Sequence, residues 1–240
     1  KEIGESGKAL ETEGLAIARR YGMRIVGPNC VGTLDTRAGL NSTFIKGMPL
    51  PGPIAFISQS GAICGGVIDL IVQSKIGFSH FASLGNEMDV TETDMLAYFG
   101  ADPDVKVIAM YIEGIVDGQR FMRTAREVSR TKPIVFLKAG RNDAGARAVS
   151  SHTGSLAGSY TAYQAALEQS GVIEVSTINE LFNLAWALGT QPLPKGNRVG
   201  ITTNAGGAAA LAADSLFENG FTLASISKEI AELNKLLKTY

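Results

Sequence analysis

His152 is one of only two histidines among 240 residues. In AVSSHTGSLAG (148–158) no Leu, Ile or Phe precedes Leu156. An imidazole in such company has few apolar neighbours to bury it, and it can serve as nucleophile, base or metal ligand. A metal site would want further His, Cys or carboxylate ligands, and only Asp143 is near. A Ser-His-Asp triad would want a G-x-S-x-G elbow, and none precedes it. A histidine that accepts a phosphoryl group fits better. It needs exposure, mobility and a cradle for three phosphate oxygens. Glycines at 140, 145, 154 and 158 read as a movable loop between the strand PIVFLKAG and a helix from about Ser159. His80, among the aromatics of GFSHFASLG, reads instead as structural.

Two turns offer the cradle, SQSGA (58–62) and TNAGG (203–207). Each sits between a strand pattern and a helix pattern. A helix start carries unpaired N–H groups and a positive dipole end, which favour an anion. Ser60 can add a hydroxyl and Asn204 an amide, while Gly61 and Gly206 let an oxyanion approach the backbone. The alternative is that Ser60 and Asn204 simply cap their helices. The two turns belong to an internal repeat. Ile54–Leu70 aligns without gaps on Val199–Ser215 at an offset of 145. Neither turn is a G-x-G-x-x-G or a Walker A loop. GESGKAL (4–10) resembles the end of a Walker A loop, but its first glycine is missing and Ala9 replaces the Ser/Thr. Glu113 ends the apolar run VIAMYIEG. It is either a solvated strand terminus or a placed carboxylate, and the carboxyl end of a parallel strand is where open α/β sheets bind ligands.

Strand and helix patterns alternate around these residues. MRIVG, PIAFIS, FSHFASLG, VKVIAMYI, PIVFLKAG and RVGITT read as short buried strands. EGLAIARRYG, ICGGVIDLIVQSK, TETDMLAYFGAD, DGQRFMRTAREVSRT and SYTAYQAALEQSG read as helices between them. This is the rhythm of an α/β protein with a mostly parallel sheet. LGTQPLPKGNR, with two prolines and two glycines, reads as a linker. A net charge of −1 argues against nucleic acid and against an anionic membrane as partners. No apolar stretch reaches the roughly 20 residues of a membrane span, and no secretory signal opens the sequence. Cys30 and Cys64 match neither a disulfide framework nor a zinc pattern. A cytoplasmic protein is expected, without a bound metal. The start on Lys reads as a fragment or a processed product.

GPNCVG (27–32), FISQSGA, YIEGI and SSHTGSLAG occur here in the order seen in nucleoside-diphosphate-forming acyl-CoA synthetases. The chain resembles this family, which is related to the succinyl-CoA synthetase α subunit, along essentially its whole length. TNAGGAAALAAD is similar to the family's second phosphate-binding helix. The resemblance implies a reversible reaction, acyl-CoA + phosphate + NDP = carboxylic acid + CoA + NTP, through an acyl phosphate and a phosphohistidine. It implies that His152 carries the phosphoryl group and that Glu113 holds its ring. Ser60, Gly61 and Ala62 become the first phosphate cradle and Asn204, Gly206 and Gly207 the second. Asn29 and Cys30 fall near the thiol end of CoA, with no nucleophilic role claimed for the cysteine.

The implied fold is a flavodoxin-like parallel sheet followed by the start of a second flavodoxin-like domain. The expected boundaries are 1–50 for a remnant of a CoA-binding Rossmann domain and connector, 51–192 for the phosphohistidine domain, and 193–240 for the partial second domain. Coenzyme A and ADP/ATP with Mg2+ are expected as substrates of the complete enzyme, with nothing held tightly by this piece, which is expected to be inactive alone. The expected partners are CoA-binding and ATP-grasp domains or subunits in a homo- or hetero-oligomer. The rival reading is a non-catalytic, CoA-responsive regulatory module of a protein acetyltransferase, against which the retained His152 and Glu113 count. A second rival is a flavodoxin-type or periplasmic-type binding protein, which would leave His152 without a role.

Overall fold

The structure, a computed structural model, describes residues 4–74, 76–153 and 159–225, with the side chains of 68–74 and 150–153 left outside that description. It divides into two units, Lys1–Gln191 and Pro192–Tyr240.

In the first unit, α1 (Glu5–Arg20) precedes two short strands, β1 (Thr33–Asp35) and β2 (Leu40–Asn41). There follow β3 (Pro51–Ser58), α2 (Gly61–Ser74), β4 (Phe78–Ser83), α3 (Glu92–Ala101), β5 (Val107–Ile112), α4 (Gly118–Val128) and β6 (Ile134–Lys138). Helices α5 (Asp143–Thr153) and α6 (Tyr160–Gln169), strand β7 (Ile173–Val175) and helix α7 (Ile178–Thr190) complete it. The sheet order is β2-β1-β4-β3-β5-β6-β7. Strands β4, β3, β5, β6 and β7 run parallel, and β1 pairs antiparallel with both β4 and β2.

Strand β3 has β4 on one side and β5 on the other, so the chain reverses direction across the sheet there. The parallel five have the flavodoxin-like order, whose ligand crevice opens beyond the carboxyl ends of the strands at that reversal. The strands are buried on both faces, and their alternation divides two cores. Ile54 and Phe56 of β3, Val107 and Ala109 of β5, and Val135 and Leu137 of β6 pack with Leu181, Phe182 and Ala185 of α7. Ala55 and Ile57, Ile108 and Met110, and Ile134 and Phe136 pack on the other side with Leu96, Phe121, Ala125 and Leu167. Phe56 lies edge-on to Phe81 and Phe182, at centroid distances of 5.7 and 5.2 Å. Side chains start the helices: Thr91 and Asp94 form a capping box on α3, and Thr177 caps α7.

Two expectations need correction. MRIVG is not a sheet strand. It runs beside the loop after β4, where the Ile25 N–H donates to Asp89 Oδ2 at 2.9 Å and the Val90 N–H to the Ile25 carbonyl at 3.1 Å. A carboxylate takes the place of a neighbouring strand. The loop expected around His152 is helical through Thr153. Asn142 starts that helix, with Oδ1 accepting from the Gly145 N–H at 2.8 Å and its carbonyl accepting from the Ala146 N–H at 2.7 Å. Ala144, Ala146 and Ala148 then favour helix despite Gly145.

The second unit holds β8 (Arg198–Val199), α8 (Gly206–Glu218) and β9 (Thr222–Leu223), a parallel β-α-β unit. No residue of α8 is buried. No helix among the described residues is long and apolar enough to cross a membrane.

Candidate functional site

The turn after β3 is built by its own serines. The Ser60 N–H donates to Ser58 Oγ at 3.1 Å, and Ser58 Oγ donates to the Ser60 carbonyl at 2.8 Å. Ser60 Oγ accepts from the Ile63 N–H at 3.3 Å, and its carbonyl accepts from the Cys64 N–H at 3.1 Å. Ser60 therefore caps α2. Gly61 is half-buried and Ala62 exposed on the first turn of that helix.

Asn29 and Cys30 come to the same helix start. With Val31, Phe44, Gly61, Ala62 and Gly65 they line a cavity of about 370 Å³, towards the small end of ligand sites. Their loop is pinned to the segment after β4. The Asn86 N–H donates to the Pro28 carbonyl and the Met88 N–H to the Gly27 carbonyl, both at 2.9 Å. Ser83 Oγ accepts from the Val31 N–H at 3.1 Å. Gly85 makes this approach possible: at φ +57°, a Cβ there would lie 2.2 Å from the Pro28 carbonyl oxygen. Asn29 is exposed at φ 55°, in the left-handed region. Cys30 is half-buried, whereas burial pushes the Cys64 thiol up to about 12.

Glu113 follows the last residue of β5 and is half-buried. Its N–H donates to Gln59 Oε1 at 2.6 Å, and the next N–H, of Gly114, donates to the same oxygen at 3.0 Å. Gln59 Nε2 donates to the Gly114 carbonyl and to Glu87 Oε2, both at 2.7 Å. From the other side, Lys138 Nζ donates to the Glu113 carbonyl at 2.7 Å and to the Ala139 carbonyl. Lys138 ends β6, is 4% exposed, and lies 4.7 Å from the centre of the Tyr163 ring. Burial pulls its ammonium below the usual lysine range, against the carboxylates of Glu113 and Glu174.

Behind Gln59 stands a carboxyl pair. Glu87, at φ 52°, accepts from the Glu92 N–H at Oε1, 2.9 Å away. Glu92 is 1% exposed; Thr93 Oγ1 donates to its Oε1 at 2.7 Å, and its Oε2 has no partner. Burial and the facing carboxyl push Glu87 up to about 9, and burial raises Glu92 as well. Sequence reading missed Gln59 as a site residue, and it missed Glu87, Glu92 and Lys138. The available signal was a charged residue closing an apolar strand, PIVFLK, the same pattern that singled out Glu113.

His152 stands on the last turn of α5, and its side chain is outside the described residues, as are residues 154–158 of its motif. Asn204, Gly206 and Gly207 are exposed at the start of α8 in the second unit. There Ala205 is the cap residue with no side-chain cap bond, and Thr203 Oγ1 accepts from the Ala205 N–H at 3.1 Å. Asn204 therefore does not cap α8. His80 is buried on β4, 4.9 Å from the Phe99 ring centre, with Nε2 3.4 Å from Asp35 Oδ2. Burial lowers its pKa, against the attraction of Asp35 and Asp102. Among the described residues no group of three or more His, Cys, Asp or Glu could hold a metal ion.

Residues 51–188 match the succinyl-CoA ligase-like flavodoxin domain. The α subunit of the ADP-forming acetate–CoA ligase II of Pyrococcus furiosus is 50% identical over 98% of this chain and 51% of its own length. The ADP-forming 4-hydroxybutyrate–CoA ligase of Nitrosopumilus maritimus is 42% identical over 97% of this chain and 34% of its own. Among solved structures, the dinucleotide-forming acetyl-coenzyme A synthetase 1 of Ca. Korarchaeum cryptofilum, in complex with phosphate and ADP, superposes with a TM-score of 0.89. It is 40% identical over 96% of this chain and 50% of its own. The chain thus spans about half the length of the Pyrococcus subunit and a third of the Nitrosopumilus ligase.

Proposed function

This chain belongs to the succinyl-CoA ligase-like flavodoxin family, and we propose that it is the phosphohistidine-bearing part of an ADP-forming acyl-CoA synthetase. The observation that carries the reading is the placement of Glu113. It follows β5 where the chain reverses across the sheet, with its N–H held by Gln59 and its carbonyl by Lys138.

In the proposed reaction, an oxygen of inorganic phosphate attacks the thioester carbonyl of acyl-CoA. The C–S bond breaks, CoA leaves as the thiol, and an acyl phosphate remains. A ring nitrogen of His152 attacks phosphorus and the carboxylate leaves. The terminal oxygen of a nucleoside diphosphate, brought with Mg2+, then takes the phosphoryl group and frees the histidine. Glu113 holds the imidazole and raises the basicity of the attacking nitrogen. Main-chain N–H groups at Gly61 and Ala62, with Ser60 shaping their turn, cradle phosphate at one stage. Asn204, Gly206 and Gly207 do so at the other. Asn29 and Cys30 border the cavity that takes the thiol end of CoA.

CoA-binding and ATP-grasp domains, fused or as subunits, complete the site within a cytoplasmic oligomer. The two ligases named above act on acetate and on 4-hydroxybutyrate, and the reading carried from them is a carboxylic acid as the acyl donor. The test is phosphoenzyme formation by the complete enzyme with nucleoside triphosphate and Mg2+. Acid-labile, base-stable label should appear, vanish in His152→Asn and persist in His80→Asn. Label that survives His152→Asn removes the assignment.

A further inference from the structure

Gln59 uses every hydrogen-bonding position of its amide. Oε1 accepts from two successive N–H groups, Glu113 and Gly114, and Nε2 donates to the Gly114 carbonyl and to Glu87. Three of the four bonds therefore go to one dipeptide. The fourth ties the amide to Glu87, which is itself fixed by the Glu92 N–H. With Lys138 on the Glu113 carbonyl, the main chain of Glu113 is held at both its N–H and its C=O. We propose that Gln59, backed by Glu87, is a positioning residue that sets where the Glu113 carboxylate meets the phosphate-carrying histidine.

This inference rests on the reading of His152 and Glu113 given above. Its rival is a purely structural role, in which Gln59 satisfies backbone groups where the β5 ladder ends. A structural role lowers stability alone. A positioning role slows phosphoryl transfer in folded enzyme. Losing about an ångström of alignment costs on the order of 10²-fold in rate, and the effect falls on the maximal rate rather than on nucleotide KM.

The test uses the complete enzyme, nucleoside triphosphate with Mg2+, and rapid-quench measurement of phosphoenzyme. Wild type is measured first. Absence of label on His152 overturns the functional reading and this inference with it. Given that label, Gln59→Leu should slow phosphorylation by about 10–100-fold at unchanged nucleotide KM. Gln59→Glu keeps an acceptor for the two N–H groups but sets an acceptor against the Gly114 carbonyl and adds a third carboxyl beside Glu87 and Glu92. Only its protonated form fits, so its loss should deepen as pH rises. Adding Glu87→Gln to Gln59→Glu restores a donor on the Glu87 side of the new carboxylate and should recover part of the lost rate. Folded Gln59→Leu enzyme at the wild-type rate would overturn the proposal. So would a Gln59→Glu/Glu87→Gln enzyme no faster than Gln59→Glu alone, whether or not the leucine variant folds.

Discussion

Glu113 and Gln59 are 54 residues apart in sequence, and their hydrogen bond of 2.6 Å joins the carboxyl ends of β5 and β3. The bond holds the glutamate by its backbone, not by its carboxylate. Glu113→Gln keeps the size and all the main-chain contacts while removing the charge. The variant should fold, with a modest drop in melting temperature from the charge lost beside buried Lys138. Its phosphorylation should slow by about 10²–10⁴-fold, the range for losing a positioned acid–base partner. Rapid-quench labelling at a fixed nucleotide concentration checks this, and a wild-type rate would remove Glu113 from the site.

The pair of half-buried Glu87 and buried Glu92 makes stability depend on pH. Between the ordinary value of 4.5 and about 9, folded Glu87 holds a proton that the unfolded chain has released. Stability therefore falls as pH rises through that window. Glu92, raised in the same direction, adds to the slope. Urea midpoints from pH 5 to 8.5 should decline in wild type and decline less in Glu87→Gln. Equal slopes in the two proteins would mean that Glu87 is already ionised at pH 5.

Gly85→Ala tests the support of the Asn29–Cys30 loop. The new methyl carbon would sit 2.2 Å from the Pro28 carbonyl oxygen and 2.4 Å from that of Asn29, and both are backbone atoms. With the positive φ added, a loss of about 1–3 kcal/mol is expected. CoA affinity, read by calorimetry, should weaken at the same time. Wild-type stability would show that the loop can withdraw without cost.

The two cysteines should differ in reactivity. Cys30 is half-buried beside the cavity, and Cys64 is buried with its thiol pushed up to about 12. Only thiolate reacts with an alkylating reagent. Brief iodoacetamide treatment of native protein, followed by peptide mass spectrometry, should find label on Cys30 and none on Cys64 until urea is added. CoA should protect Cys30. Equal labelling of both would contradict the burial of Cys64.

The central strands were legible because each is an apolar run bounded by turn residues. PIAFIS, FSHFAS, VIAMYI and PIVFLK all appear where expected, as β3 to β6. Strands β1, β2 and β7 have two or three residues each, too few to show a period. Helix α7 was legible, with Leu181, Ala185 and Gly189 buried on one stripe after the Thr177 cap, yet it is missing from the expected helices. At the site, residue type and position exposed Glu113, while the role of Gln59 stayed hidden. Its amide gains meaning only when folding brings residues 113 and 114 to it, and no local pattern encodes that meeting. The helical setting of His152 was masked by its glycines, which suggest a loop more strongly than the Asn142 cap suggests a helix.

The antiparallel pairing of β1 on β4 has a practical side. The family match begins at residue 51, and β1, at Thr33–Asp35, lies before it. Without β1, all six residues of β4, buried in the intact fold, would form the rim of the sheet. Unpaired N–H and C=O groups along an uncovered rim are a template for another chain. Strand β1 meets that rim in the opposite direction, and β2 ends the sheet after two residues. A protein trimmed to start at Pro51 would thus retain the match and lose its protection against self-association, and it should precipitate where the longer chain remains in solution.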